Sequence, residues 1–409
     1  MNLIEKPLFL LFLLLPFFPP GVIAHLPLPL NDFFNLWRVL SFVIIAILFF
    51  RYGKLDGFLV ALVAFLFVIF ISTLLNSGNL FSFSVSAGAL LGTCILINLS
   101  LSTKSYMIIK VMFHYLGLLV VVNLALIFVF DGNIPIQHVY HVYFFGHRNS
   151  ITPVAILLLT ICAIYYHIQK KRLSLWMLIV VTSTILGMLF IWSATGVAVM
   201  FIFVLLILFI NNGVLFKFMN FAAFAPITIG SFFFVVVFRL QEHISFLIEQ
   251  ILDRSLTFTG RTIIWDFSIM MISQAPFLGY GVRQSSDPTW LGWSSTYLWF
   301  SHNGVLEILL RGGFIGLITY IVLVVYVIVS LLKHRANPIA ALLSAGIFAF
   351  FISMLMESSF KSVYLFATFA FAFYVDKIIE TTEEAPLVEE LQESKYIISK
   401  MHNKSIYIR

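Results

Sequence analysis

Residues 57–75 read GFLVALVAFLFVIFISTLL, without one charged side chain. A helix of that length rises about 28 Å, close to the hydrocarbon thickness of a bilayer. It is apolar all round, so it has no face to turn toward water. The same pattern recurs in both directions along the chain. Apolar runs separated by polar breaks lie at 7–25, 37–52, 57–75, 80–101, 106–130, 150–168, 173–193, 196–211, 215–238, 303–332, 338–356 and 361–379. The predicted fold class is therefore an all-α integral membrane protein with about twelve transmembrane helices.

Composition agrees with that reading. Of 409 residues, 61% are hydrophobic and 10% are charged, and the mean hydropathy is +1.05. A soluble protein needs a charged, hydrated skin that this chain does not supply. Disorder and a disulfide scaffold are excluded as well, since the two cysteines, Cys94 and Cys162, both lie in apolar runs. In such a chain an excess of basic residues reports orientation, so no nucleic-acid partner is expected. The first run carries Pro16, Pro19 and Pro20 after Lys6. It reads either as a span or as a signal peptide. The run 303–332 contains Arg311-Gly312-Gly313, which predicts a kink at the glycines.

Lysine and arginine test the topology. The connections after runs two, four, six, eight and ten hold Arg51 and Lys54; Lys104 and Lys110; Lys170, Lys171 and Arg172; Lys217; and Lys333 with Arg335. The intervening short connections are nearly free of lysine and arginine. Both termini are then cytoplasmic by the positive-inside rule. The expected divisions are nine transmembrane helices over 1–238, a large extracytoplasmic loop with amphipathic helices over 239–302, transmembrane helices ten to twelve over 303–379, and a cytoplasmic tail over 380–409.

On the expected outer face the basic residues are Arg38, Arg148, Arg239, Arg254, Arg261, Arg283 and Arg311, with one lysine, Lys361. Arginine grips phosphate with two parallel hydrogen bonds. The bias fits an anionic ligand there, or equally arginine's tolerance of interfaces. The long loop offers an amphipathic stretch after Arg239, a second helix from Arg261 to Ala275, and the turn Phe277-Leu278-Gly279-Tyr280-Gly281. Trp290, Trp293, Tyr297 and Trp299 follow, suited to sugar stacking or to the bilayer interface. His138, His141 and His147 are read as solvated or substrate-facing, and no metal is expected. His302 opens the run 303–332, where the positive end of a helix favours the neutral imidazole and hence general-base chemistry. Asn303 follows it. Glu307 and Arg311 stand four apart, in the helix-favourable order for an ion pair.

Three stretches carry a family resemblance. TGRTIIW (259–265), PFLGYG (276–281) and SHNGVLEILLRGGFIG (301–316) resemble the C-terminal signature of the O-antigen ligase and Wzy-type polysaccharide polymerase family. GHRNSI (146–151) and WSATG (192–196) resemble its weaker upstream motifs. The resemblance implies a GT-C-like arrangement with a large outer loop between helices nine and ten, a polyprenyl-diphosphate-linked glycan as substrate, and no cofactor. It implies that Arg261 binds the diphosphate and that His302 acts on the acceptor hydroxyl. Arg148, Arg283, Arg239, Asn303, Glu307 and Tyr280 complete the candidate substrate-binding set. Ligases of the family often place an arginine just after a serine near the start of span eight. Here Ser193-Ala194-Thr195-Gly196-Val197 has none, which favours a polymerase of capsular, exopolysaccharide or O-antigen repeat units. A ligase, and more remotely a twelve-span transporter, are the alternatives. A flippase and a chain-length regulator are the expected protein partners, in a bacterial cytoplasmic membrane.

Overall fold

The computed structural model describes residues 4–25, 30–103, 106–130, 134, 142–210, 212–239, 261–283 and 300–382. The elements are α1 (Pro7–Leu14), α2 (Leu30–Tyr52), α3 (Gly57–Leu75), α4 (Leu80–Leu101), α5 (Met107–Val129), α6 (Ile151–Ile168), α7 (Leu175–Ile191), α8 (Ala194–Phe209), α9 (Phe221–Phe232), α10 (Arg261–Gln274), α11 (Gly304–Lys333), α12 (Pro338–Ser353) and α13 (Val363–Phe373). Among the described residues six helices are long and apolar enough to cross a membrane, and six shorter apolar helices accompany them. Each of the twelve overlaps one of the apolar runs. The protein is a multi-pass membrane protein.

Polar caps punctuate the apolar text. Asp56, Asn79, Ser174, Ser193, Asn220, Asn303 and Asn337 each accept a backbone N–H in the first turn of the helix that follows, satisfying donors that would otherwise be orphaned. Three boundaries differ from the sequence expectation. The run 7–25 is not one helix, because Pro16 cannot continue α1; single 3₁₀ turns follow at Leu15–Phe17 and Gly21–His25. Helix α2 starts at Leu30 rather than 37, since its polar first turns still carry a helical backbone. Helix α9 contains Pro226 and gives way to a π-turn over Phe233–Val237.

Helix α11 packs along α3 and α13, α12 against α6, α8 and α9, and α4 against α2 and α13. Leu342, Leu343, Ala345, Ile347, Ala349 and Phe350 of α12, with Leu365, Phe366, Ala367 and Phe369 of α13, are the innermost residues. At one end of the bundle Asn98 donates to Asp56 (3.1 Å) and to the Tyr374 hydroxyl (2.7 Å), tying together α3, α4 and α13. The described basic connections fall at this end by helix alternation.

The opposite end carries the expected kink. Gly313, at φ +59°, ψ −160°, breaks the helical course of α11. A broken helix inside an apolar bundle must satisfy the freed backbone groups. The turn 276–281 does so, backbone to backbone. Tyr280 N–H donates to Leu310 O (2.7 Å) and Gly281 N–H to Arg311 O (3.0 Å), while Phe314 N–H donates to Pro276 O (2.7 Å) and Ile315 N–H to Phe277 O (3.1 Å). No side chain fits in that seam: a Cβ on Gly313 would lie 2.2 Å from the Phe277 carbonyl carbon, and one on Gly281 would lie 2.3 Å from Thr73 Cα. Two of the sequence motifs are thus two halves of one joint.

Candidate active site

The site gathers at the same end as this joint, from helix ends that alternation brings to one side. Ser193 caps α8 by accepting the Gly196 N–H (3.2 Å) and donates its hydroxyl to Asn149 Oδ1 (2.8 Å). The Asn149 amide donates to Glu357 Oε1 (2.6 Å). Arg261, the first residue of α10, donates from Nη2 to the same oxygen at 3.0 Å. Glu357 lies in the turn after α12, so residues from four distant segments join in one hydrogen-bonded chain that ends on its carboxylate. Glu357, Asn149, His147, His302 and Lys361 line a cavity of about 630 Å³, closed on its apolar side by Pro19, Phe145, Phe300 and Tyr364.

His302 adopts φ +50°, a left-handed conformation uncommon for a residue with a Cβ and a marker of functional strain. The flanking contacts hold it there. Ser301 N–H donates to Glu307 Oε2 (2.8 Å) and the Ser301 hydroxyl to Asn303 O (2.7 Å). The Asn303 side chain accepts from Val305 and Leu306 N–H and donates to Leu355 O (3.1 Å).

Electrostatics separate the groups. Burial, reinforced by the nearby Arg261 guanidinium, holds the His302 imidazole below its ordinary pKa; Glu307 opposes and His147 adds slightly to the lowering. Burial, then the charges of Arg148 and Arg261, also lower His147. The Glu357 carboxyl is pushed up by burial, and Arg261, Asn149 and Arg148 pull part of that shift back. The Lys361 ammonium stands 5.3 Å over the Phe300 ring, its pKa lowered by burial and by Arg311. An imidazole whose neutral form is favoured therefore sits beside cations within reach of one cavity, a combination suited to activating a hydroxyl near an anionic leaving group.

The sequence candidates divide into two groups. His302 lines the cavity, Arg261 reaches it through Glu357, and Arg148 sits in the 3₁₀ turn before α6, close enough to lower the pKa of His147 and Glu357. The other five are not among the residues lining that cavity. Asn303 and Glu307 are buried in the cap and in the Glu307–Arg311 pair. Arg239 pairs with Asp266 of α10. Arg283 lies over the Tyr280 ring at 5.2 Å, and the Tyr280 hydroxyl donates to Met271 O at 3.0 Å. Sequence reasoning passed over Glu357, Asn149 and Ser193 as site residues. The available signal was Glu357 itself, a carboxylate between two apolar runs, where an ionisable group is costly.

Among the described residues no group of three or more His, Cys, Asp or Glu is placed to hold a metal ion. Positions 138, 141 and 254, the loop stretches 240–260 and 284–299 with their aromatic residues, and the tail from 383 lie outside the described residues. No curated protein matches the chain. Residues 142–321, from just before His147 through Arg261 and His302, match the family model described as O-antigen ligase.

Proposed function

We infer that the protein is a glycan polymerase of the bacterial cell envelope, with twelve membrane crossings, both termini in the cytoplasm and the cavity facing outward. Its donor is a glycan on undecaprenyl diphosphate, and its acceptor is a sugar hydroxyl on an incoming lipid-linked repeat unit. The acceptor oxygen forms a bond to the anomeric carbon as the bond from that carbon to the diphosphate oxygen breaks. The lipid diphosphate leaves with the electron pair, and the hydroxyl proton passes to His302. Arg261, with Arg148 and Lys361 nearby, offsets the charge that grows on the departing diphosphate. Preorganised cations in a partly dry site are worth far more than in water. Glu357 acts as a positioning residue, holding the Arg261 guanidinium at the cavity.

The observation that carries this reading is that His302 and Glu357 line one cavity, with Arg261 paired to Glu357 and near enough to His302 to lower its pKa. The absence of an arginine after Ser193 supports a polymerase over a ligase, and the placement of basic connections at the far end supports an outward-facing site. The test is purified protein in vesicles with defined lipid-linked repeats and no other acceptor. Chains of several repeats are expected. Unlengthened repeats that are consumed only when a different acceptor lipid is supplied would make the protein a ligase.

A further inference from the structure

A second cavity, of about 590 Å³, lies between α2, α3 and α4, away from the residues just described. Its walls are Phe42, Leu66, Phe67, Phe70 and Phe81, and its floor is a run of small residues on α4, Ser84, Ala87 and Gly88. Three small residues within little more than one turn leave a slot where a typical helix face would fill it. Phe67, Phe81 and Val39 are exposed, so the slot opens onto the lipid-facing surface. The one cation lining it is Arg38, about two turns into α2. Arg38 donates from Nε to Pro16 O (3.0 Å) and from Nη1 to Asn35 Oδ1 (3.1 Å). It has no carboxylate partner among the described residues. A part-buried guanidinium among apolar side chains without a carboxylate partner marks a place where an anion is favoured.

The position of Arg38 gives the slot its meaning. Pro16, which Arg38 holds, is three residues from Pro19, which lines the catalytic cavity. Three residues of extended chain span at most about 10 Å. The segment 16–21 thus has the slot on one side and the site on the other. A polymerase takes two lipid-linked substrates at once, while Arg261, Arg148 and Lys361 serve one diphosphate.

We propose that the slot between α2, α3 and α4 holds the isoprenoid chain of the acceptor repeat unit, with Arg38 gripping its diphosphate and presenting its sugar to the catalytic cavity. The proposal rests on the polymerase reading. The phenylalanine-rich walls suit a branched hydrocarbon chain, and the unneutralised guanidinium at the mouth selects an anionic head.

Two substrates with separate roles test it. The donor is a lipid-linked glycan capped at its acceptor hydroxyl. The acceptor is a C-glycosyl phosphonate analogue of the lipid-linked repeat, which cannot lose its lipid. Arg38→Ala raises the acceptor KM by roughly tenfold or more and leaves the donor KM and kcat near wild type, the signature of lost ground-state binding. Because Arg38 also tethers Pro16, a second variant guards against misfolding: a Cβ on Gly88 meets nothing within 4 Å, so Gly88→Leu puts its bulk into the slot from an unobstructed Cβ and has the same effect. Equal rises in both KM values, or none, overturn the proposal. A benzophenone-bearing undecaprenyl diphosphate separates its fate from that of the polymerase reading. It labels α2–α4 peptides, undecaprenyl diphosphate displaces it, and phosphatidylglycerol does not. Displacement by phosphatidylglycerol makes the slot an ordinary phospholipid site. If wild-type protein forms no chains, the polymerase reading fails, and this labelling alone decides the slot.

Discussion

Arg311 and Glu307 pair within one helix, four residues apart, while Arg261 and Glu357 pair across 96 residues of sequence. In the first pair every group is answered. Glu307 Oε1 takes Arg311 Nε and Nη2 at 2.9 and 2.8 Å, Oε2 takes the Ser301 N–H, and Arg311 Nη1 reaches Gly281 O at 3.1 Å. Its side chains are 8% and 1% exposed, against 15% and 18% for Arg261 and Glu357. The closed pair fixes the start of α11 against the turn 276–281. The open pair leaves a carboxylate lining a cavity, available to a ligand. The same two residue types close a joint in one place and border a cavity in the other, and what decides is whether their hydrogen-bonding capacity is exhausted.

That distinction can be broken by substitution. The largest expected effect is on rate. His302→Ala and Arg261→Ala each reduce chain synthesis by roughly 10²–10⁴-fold, with thermal stability in detergent close to wild type. Polymer of normal length from both variants, at normal protein levels, would remove the open cluster from the mechanism. Next comes Arg311→Met, which strands a buried carboxylate and costs about 3–5 kcal/mol of stability. The measurement is the melting temperature, and Glu307→Gln added to Arg311→Met recovers part of the loss. Retained stability in Arg311→Met would show that the closed pair is not structural.

Smaller effects sharpen the contrast. Glu357→Gln keeps an oxygen for Asn149 but loses the charge that holds Arg261, so kcat is expected to fall about tenfold or more with little change in melting temperature. Asn303→Ala removes a cap whose two accepted N–H groups start α11 and whose contacts flank His302, costing about 1–2 kcal/mol, with kcat falling far less than in His302→Ala. The pH–rate profile gives the last test. Burial and Arg261 lower the His302 pKa, so the neutral base persists as pH falls through the ordinary histidine range near 6.5. Glu357, raised by burial, titrates in the same cavity, and the acid limb belongs to the coupled groups. Activity is therefore expected to stay level from pH 8 to neutrality and to fall below 6.5. A fall centred above 6.5 would contradict the assignment.

The helices were legible because hydrocarbon demands apolar side chains; among the described residues each of the twelve apolar helices overlaps an apolar run, and six of them are long enough to cross a membrane. The kink was legible because consecutive glycines after an arginine are poor helix interior. His302 and Arg261 were legible from local motifs. Glu357 was not, because its partners Asn149 and Arg261 lie 208 and 96 residues away, and no periodicity records a meeting at that separation. Asn303 and Glu307 were read toward substrate because they adjoin His302. The physics of helix starts explains them better, since asparagine caps and a first-turn glutamate serve the helix that follows.

The joint between the turn 276–281 and the break in α11 has a mechanical consequence. Helix α10 is clamped where it ends, beside that joint, and carries Arg261 at its other tip, about 21 Å away along fourteen residues. Glu357 latches the Arg261 side chain at that tip, beside the buried Thr262, Ile264 and Trp265. A tilt of only about 5° at the root moves the guanidinium by about 2 Å, enough to undo a 3.0 Å contact. Backbone stitching at this end of the bundle thereby bears on how the Arg261 guanidinium stands against Glu357.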